Sequence, residues 1–91
     1  MTWGTPVEQE IRNRVRVAVA AYAYEIQARP IMSDAEYDSL ARSIQPRRMT
    51  GHPLYDEFFL VHFSPHTGMW VHNHPEPARL KRLADIARKA R

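Results

Sequence analysis

The sequence has 91 residues and 10.6 kDa, 44% apolar and 25% charged, which fits one small domain spanning 1–91 and excludes a multidomain enzyme, because chains this short rarely divide into two cores. The net charge of +3 is uneven: seven Arg face nine acids up to Pro77, whereas six Lys/Arg face one Asp from Ala78 onward, so an acidic body carries a basic tail. Without cysteine there is no disulfide or thiolate chemistry. The run Val15 to Tyr24 is about half the length of a membrane span, and the N-terminus lacks a signal-peptide layout, so the expectation is no membrane contact and a cytoplasmic location.

Thr5-Pro6-Val7-Glu8 predicts a helix start, with Thr5 as cap, Pro6 at the first helical position and Glu8 completing a capping box. The helix is expected to run from about Pro6 to Ala28, where Arg29-Pro30 ends it. Val7, Ile11, Val15, Ala18, Tyr22 and Ile26 form one stripe at helical spacing and are the predicted core face. Val17, Ala20, Ala21 and Tyr24 lie on another side, so the C-terminal half either packs on two sides or presents Tyr24 to something else. Ser33-Asp34-Ala35-Glu36 is a second capping box and predicts a helix from Asp34 to about Ile44, with Tyr37, Leu40, Ala41 and Ile44 on one face. Residues 6–44 thus form a helical hairpin, and 45–53, rich in Pro, Gly and Arg, form a loop.

Leu54 to Phe63 fits either a helix or a strand that pairs with Met69 to His72 across a turn at 64–68. Pro53 at its start and Asp56-Glu57 in the first turn favour the helix. A last helix is expected over Ala78 to Arg91, with Leu80, Leu83, Ile86 and Ala87 at helical spacing. The second half is therefore 54–91, and the predicted fold is an all-α, four-helix small domain; the alternative is α+β with a short hairpin around 58–72. Phe58, Phe59, Phe63, Met69 and Trp70 are expected to complete the core, with Trp3 packed on the last helix or exposed as an anchor.

The stretch YAYEIQARPIMSDAEYDSL, Tyr22 to Leu40, resembles the small N-terminal domain, called Ia, of NAD-dependent DNA ligases. There a helix ending in a tyrosine pair is followed by a short proline-containing turn and the signature S/P-D-A-E-Y-D. The likeness covers residues 15–45, about a third of the chain, and the second half, FF…F.P.TGMW…HP, reads like short phage-encoded proteins described as ligase-related. In the ligases this domain closes over the nicotinamide mononucleotide half of NAD and orients it for a lysine in a separate adenylation domain. The resemblance implies nucleotide contacts from Tyr24, Asp34, Tyr37 and Asp38, with nicotinamide mononucleotide or NAD as the ligand and no other cofactor required. The family's histidine after the first tyrosine is Glu25 here; imidazole can donate to a phosphate, whereas a carboxylate repels one. The sequence has no K-x-D-G nucleophile motif, so the expectation is a non-enzyme with no catalytic residue.

The residues themselves suit that chemistry. Asp34, Tyr37 and Asp38 stand at i, i+3 and i+4 on one helical face, and Tyr24 lies off the main core stripe. Aromatic rings stack on a nicotinamide, and carboxylates meet ribose hydroxyls or a cationic pyridinium. The same residues also serve as caps, dipole partners and interhelical packing. His52, His62, His66, His72 and His74 fall within 23 residues, but with no Cys and few nearby acids they are expected to be polar turn residues, with His62 partly packed and no metal held.

Three functions follow. The leading one is a non-catalytic, phage- or mobile-element-type interaction module that binds a host protein or complex. The second is a nicotinamide mononucleotide- or NAD-binding domain using Tyr24, Asp34, Tyr37 and Asp38. The third is a small basic DNA-binding protein, or a face for an acidic partner, using Arg47, Arg48, Arg79, Arg82 and Arg88. The sequence does not set the oligomeric state.

Overall fold

A computed structural model describes residues 4–90, and within them four α-helices and one 3-10 helix follow in order, with no strand. These are α1 (Pro6–Glu25), α2 (Asp34–Ser43), α3 (Pro53–His62), a 3-10 helix (Met69–Asn73) and α4 (Pro77–Lys89). The all-α reading therefore holds, and the hairpin alternative around 58–72 is corrected. The segment MWVHN winds into a 3-10 turn because the burial of Trp70 and Val71, two adjacent side chains, suits a tight helix better than a strand that sends neighbours to opposite faces. Trp3 and Arg91 lie outside the described residues.

Both predicted capping boxes are present. The Thr5 hydroxyl accepts from the Glu8 N–H at 3.2 Å while the Glu8 carboxylate accepts from the Thr5 N–H at 2.9 Å. Ser33 and Glu36 exchange the same pair of bonds at the start of α2. The end of α1 is set before Arg29-Pro30 is reached. Ala28 adopts a left-handed φ of 53°, and the Arg29 N–H reaches back six residues to the Ala23 carbonyl at 2.8 Å, which closes the end of the helix without a glycine.

Helix α1 is the central element and packs against α2, the 3-10 helix and α4. Its core face is not the single stripe expected. Every residue from Val17 to Ala23 is buried, so this part of the helix is enclosed on all sides. Four alanines in that run let neighbouring elements approach closely. Val7, Ile11 and Val15 are only half-buried, and Ile26 is 42% exposed because the helix has left the core by then. Phe58, Phe59 and Trp70 fill the other half of the core as predicted, Phe63 packs at its edge, and Met69 points outward, correcting its assignment to the core. The aromatic rings of Phe58, Phe59, Phe63 and Trp70 contact one another at centroid distances of 5.1–6.0 Å.

A buried charge network organises the loop between α2 and α3. Arg14, 3% exposed, donates to Glu10 at 2.7 Å, to Asp56 at 2.8 Å and to the carbonyls of Gln45 and Arg48 at 2.9 Å each. Its guanidinium lies 5.1 Å from the centroid of the Phe59 ring. Glu10 accepts the Gln45 N–H, and Asp56 accepts both the N–H and the hydroxyl of Thr50. Desolvation alone would raise the Asp56 pKa, but the Thr50 and Arg14 hydrogen bonds outweigh it and hold the carboxyl below its ordinary value. A Pro- and Gly-rich loop is thus fixed from beneath by a charge on α1 and another on α3. His74 is buried: its ring meets Tyr55 and Phe58 at 5.7 and 5.1 Å, and its Nδ1 accepts the Glu76 N–H, while His62 is exposed with its ring 5.4 Å from that of Phe58.

Candidate functional site

The end of α1, the 26–33 connection and the first half of α2 form three walls of a cleft, and the 65–68 turn forms the fourth. Tyr24, Asp34, Tyr37 and Asp38 all line it, together with Glu25, Ile31, Met32 and Gly68, around a volume of about 540 Å³. Two capped helices produce this convergence. The left-handed residue Ala28 turns the chain back after Tyr24, and the Ser33 cap starts α2 so that Asp34, Tyr37 and Asp38 face the same space.

Each side chain has its own environment. Tyr24 is 56% exposed, so its ring forms the open rim. Tyr37 is partly buried against the core, and its hydroxyl and the Trp70 indole N–H are both enclosed, neither with a hydrogen-bond partner. Burial raises the Tyr37 pKa above its ordinary value, the Trp70 indole opposes this, and the charge of nearby Glu25 adds to it. Asp38 is held by Arg42 at 2.9 Å in an exposed i, i+4 pair, and Asp34 is exposed at the positive end of α2.

Gly68 closes the fourth wall by contact with Glu25. A Cβ added at Gly68 would lie 3.1 Å from the Glu25 Cγ, 3.2 Å from its Oε1 and 3.5 Å from the Tyr37 hydroxyl. A larger residue there would press on the Glu25 side chain and require it to shift. The residues from 65 to 68, and Ile31 and Met32, were not among the predicted site residues. The SPHTG composition marked a turn, but nothing local places that turn against a helix some 40 residues earlier.

The predicted basic residues have different partners. Arg88 is largely enclosed: it donates to the Gln27 side chain, to the Arg29 carbonyl at 3.0 Å and to Asp85 at 3.2 Å, tying α4 to the end of α1. Arg79 bonds the Tyr55 hydroxyl at 3.2 Å and sits 3.5 Å from Glu76. The backbone of Arg48 is held by Arg14 and its side chain by Gln45. Arg47 and Arg82 are exposed.

Among the described residues no three His, Asp or Glu side chains gather as a metal site, and no helix is long and apolar enough to cross a membrane. A search of family models, curated proteins and solved structures found no match to this chain.

Proposed function

We propose that this protein is a non-catalytic binding module whose cleft takes a nicotinamide nucleoside or nucleotide. One observation carries this reading: Tyr24 on one helix and Asp34, Tyr37 and Asp38 on another, singled out by the ligase Ia-like signature, line one cleft of about 540 Å³. That volume lies within the range of small-molecule sites, about 300–1,000 Å³. Tyr24 offers a face for the nicotinamide ring, and Asp34 offers a carboxylate to the ribose hydroxyls. No nucleophile and base pair is part of the proposal, so the module would hold or present the ligand without transforming it.

The test is an amide NMR titration with nicotinamide mononucleotide and, separately, nicotinamide riboside. Shifts centred on Tyr24, Tyr37 and Gly68 are expected with at least one of them, and Tyr24→Ala should abolish them while leaving thermal stability nearly unchanged, because this side chain is mostly exposed. If neither ligand moves these amides at millimolar concentration, the proposal fails.

A specific observation also supports a second reading, the phage- or mobile-element-type module that binds a host protein. Helix α3 turns Leu54, Leu60 and Val61 to solvent, each more than half exposed. Val61→Glu should abolish a specific co-purifying protein that survives nuclease treatment; retention of that protein by the variant would rule out this face. The DNA-binding reading draws less support, since Arg88 is tied to Gln27, Arg29 and Asp85.

A further inference from the structure

We infer that the cleft selects a cationic aromatic nucleoside without a phosphate, and that Glu25 is a specificity-determining residue. This rests on the nucleoside-binding reading above and narrows it to one ligand class.

The argument starts from the charge of the walls. Three carboxylates line the cleft, Glu25, Asp34 and Asp38, and no Lys or Arg lines it. Arg42 lies beside Asp38 and is engaged by it, which leaves Glu25 and Asp34 without a basic side-chain partner in the cleft. His66 is the one lining residue able to carry a positive charge, and it stands exposed on the turn. The N-terminus of α2 would otherwise attract an anion, but Asp34 and Glu36 already occupy its first turn, and the Ser33 cap satisfies the Glu36 N–H. Apart from the exposed His66, no lining side chain compensates a phosphate dianion, and two carboxylates repel it.

The same walls suit a cation. Tyr24 and Tyr37 contribute aromatic rings to the lining, Met32 adds a polarizable thioether, and the Glu25 side chain lies beside Gly68. A pyridinium ring would gain attraction from the aromatic faces and from Glu25 together. The ribose hydroxyls would then face Asp34, whose carboxylate accepts from them. The preferred ligand is therefore a nucleoside with a permanently charged base, such as nicotinamide riboside, ahead of its 5′-phosphate.

Amide NMR titrations with three probes test this: nicotinamide riboside, nicotinamide mononucleotide and the uncharged dihydronicotinamide riboside. The charged riboside should bind about tenfold more tightly than the mononucleotide at low ionic strength. The gap should close at about 1 M salt, where the screening length is about 3 Å. The uncharged riboside should bind several-fold more weakly than the charged one. Glu25→Gln, which preserves the packing on Gly68, should weaken the charged riboside and narrow its advantage over the mononucleotide, with amides outside the cleft unmoved. Mononucleotide binding as tight as the riboside would overturn the selectivity and leave the nucleoside-binding reading standing, and so would equal binding of the uncharged riboside. An absence of shifts with all three probes would overturn both.

Discussion

Replacing Arg14 by Met should remove about 4 kcal/mol of stability. In the folded protein the Arg14 guanidinium is 3% exposed and neutralises Glu10 and Asp56, themselves 2% and 4% exposed, while donating to two loop carbonyls. Methionine fills a similar volume but leaves two carboxylates buried without a cation, and breaking such a pair from one side costs about 3–5 kcal/mol. A domain of this size has about 5–14 kcal/mol in total. The melting temperature should therefore fall by about 15–30 °C, followed by circular dichroism. A second variant separates loss of charge compensation from loss of packing. Asp56→Asn should destabilise the wild-type chain, in which the carboxylate is paired, and should be neutral or stabilising in the Arg14→Met chain, where it relieves a buried charge. The pH dependence should reverse as well. In the wild type the depressed Asp56 pKa contributes stability above the ordinary aspartate value of about 3.9, and that stability is lost as pH falls through the folded value. In Arg14→Met the Asp56 carboxyl loses the cation that helps hold its pKa down while burial still raises it, so lowering the pH should narrow the deficit. A loss below about 1 kcal/mol for Arg14→Met, or the same cost of Asp56→Asn in both backgrounds, would refute the reasoning.

Three other perturbations test separate parts of the structure. Burial, aided by Arg79, lowers the His74 pKa from 6.5 to about 4, so the unfolded chain binds the extra proton between those values. Stability from this group is complete above pH 6.5 and declines as pH falls toward 4, by up to about 3 kcal/mol, and urea titrations across that window should show it. His74→Asn keeps an acceptor for the Glu76 N–H and should flatten the profile; an unchanged slope would remove His74 as its source. Ala28→Gly should stabilise the fold by about 1 kcal/mol, because the left-handed backbone there costs alanine but not glycine, and a measured loss would show that unfolded-state entropy dominates at this site. Gly68→Ala meets no backbone obstacle at φ −97° and ψ 0°, yet its Cβ would press on Glu25, so it should cost about 1 kcal/mol in thermal melts and displace the Tyr37 and Glu25 amides. Unmoved amides would mean that the fourth wall of the cleft yields freely.

The sequence alone determined what depends on residues a few positions apart. Thr5 with Glu8 and Ser33 with Glu36 bond across three residues, so the starts of α1 and α2 are legible without knowing what they pack against. The common face of Asp34, Tyr37 and Asp38 follows from helical spacing in the same way. Tertiary structure decided everything set by which faces meet. Glu10 and Arg14 look like an ordinary solvent pair at i, i+4, and only Asp56, 42 residues beyond Arg14, together with the loop above them, makes them a buried core. His74 is buried while the other four histidines are exposed, because its aromatic neighbours Tyr55 and Phe58 come from α3. The cleft divides along the same line. Its α2 wall is written in a six-residue block, whereas its fourth wall exists because Gly68 can touch Glu25, a contact between segments that local hydrogen bonding does not link.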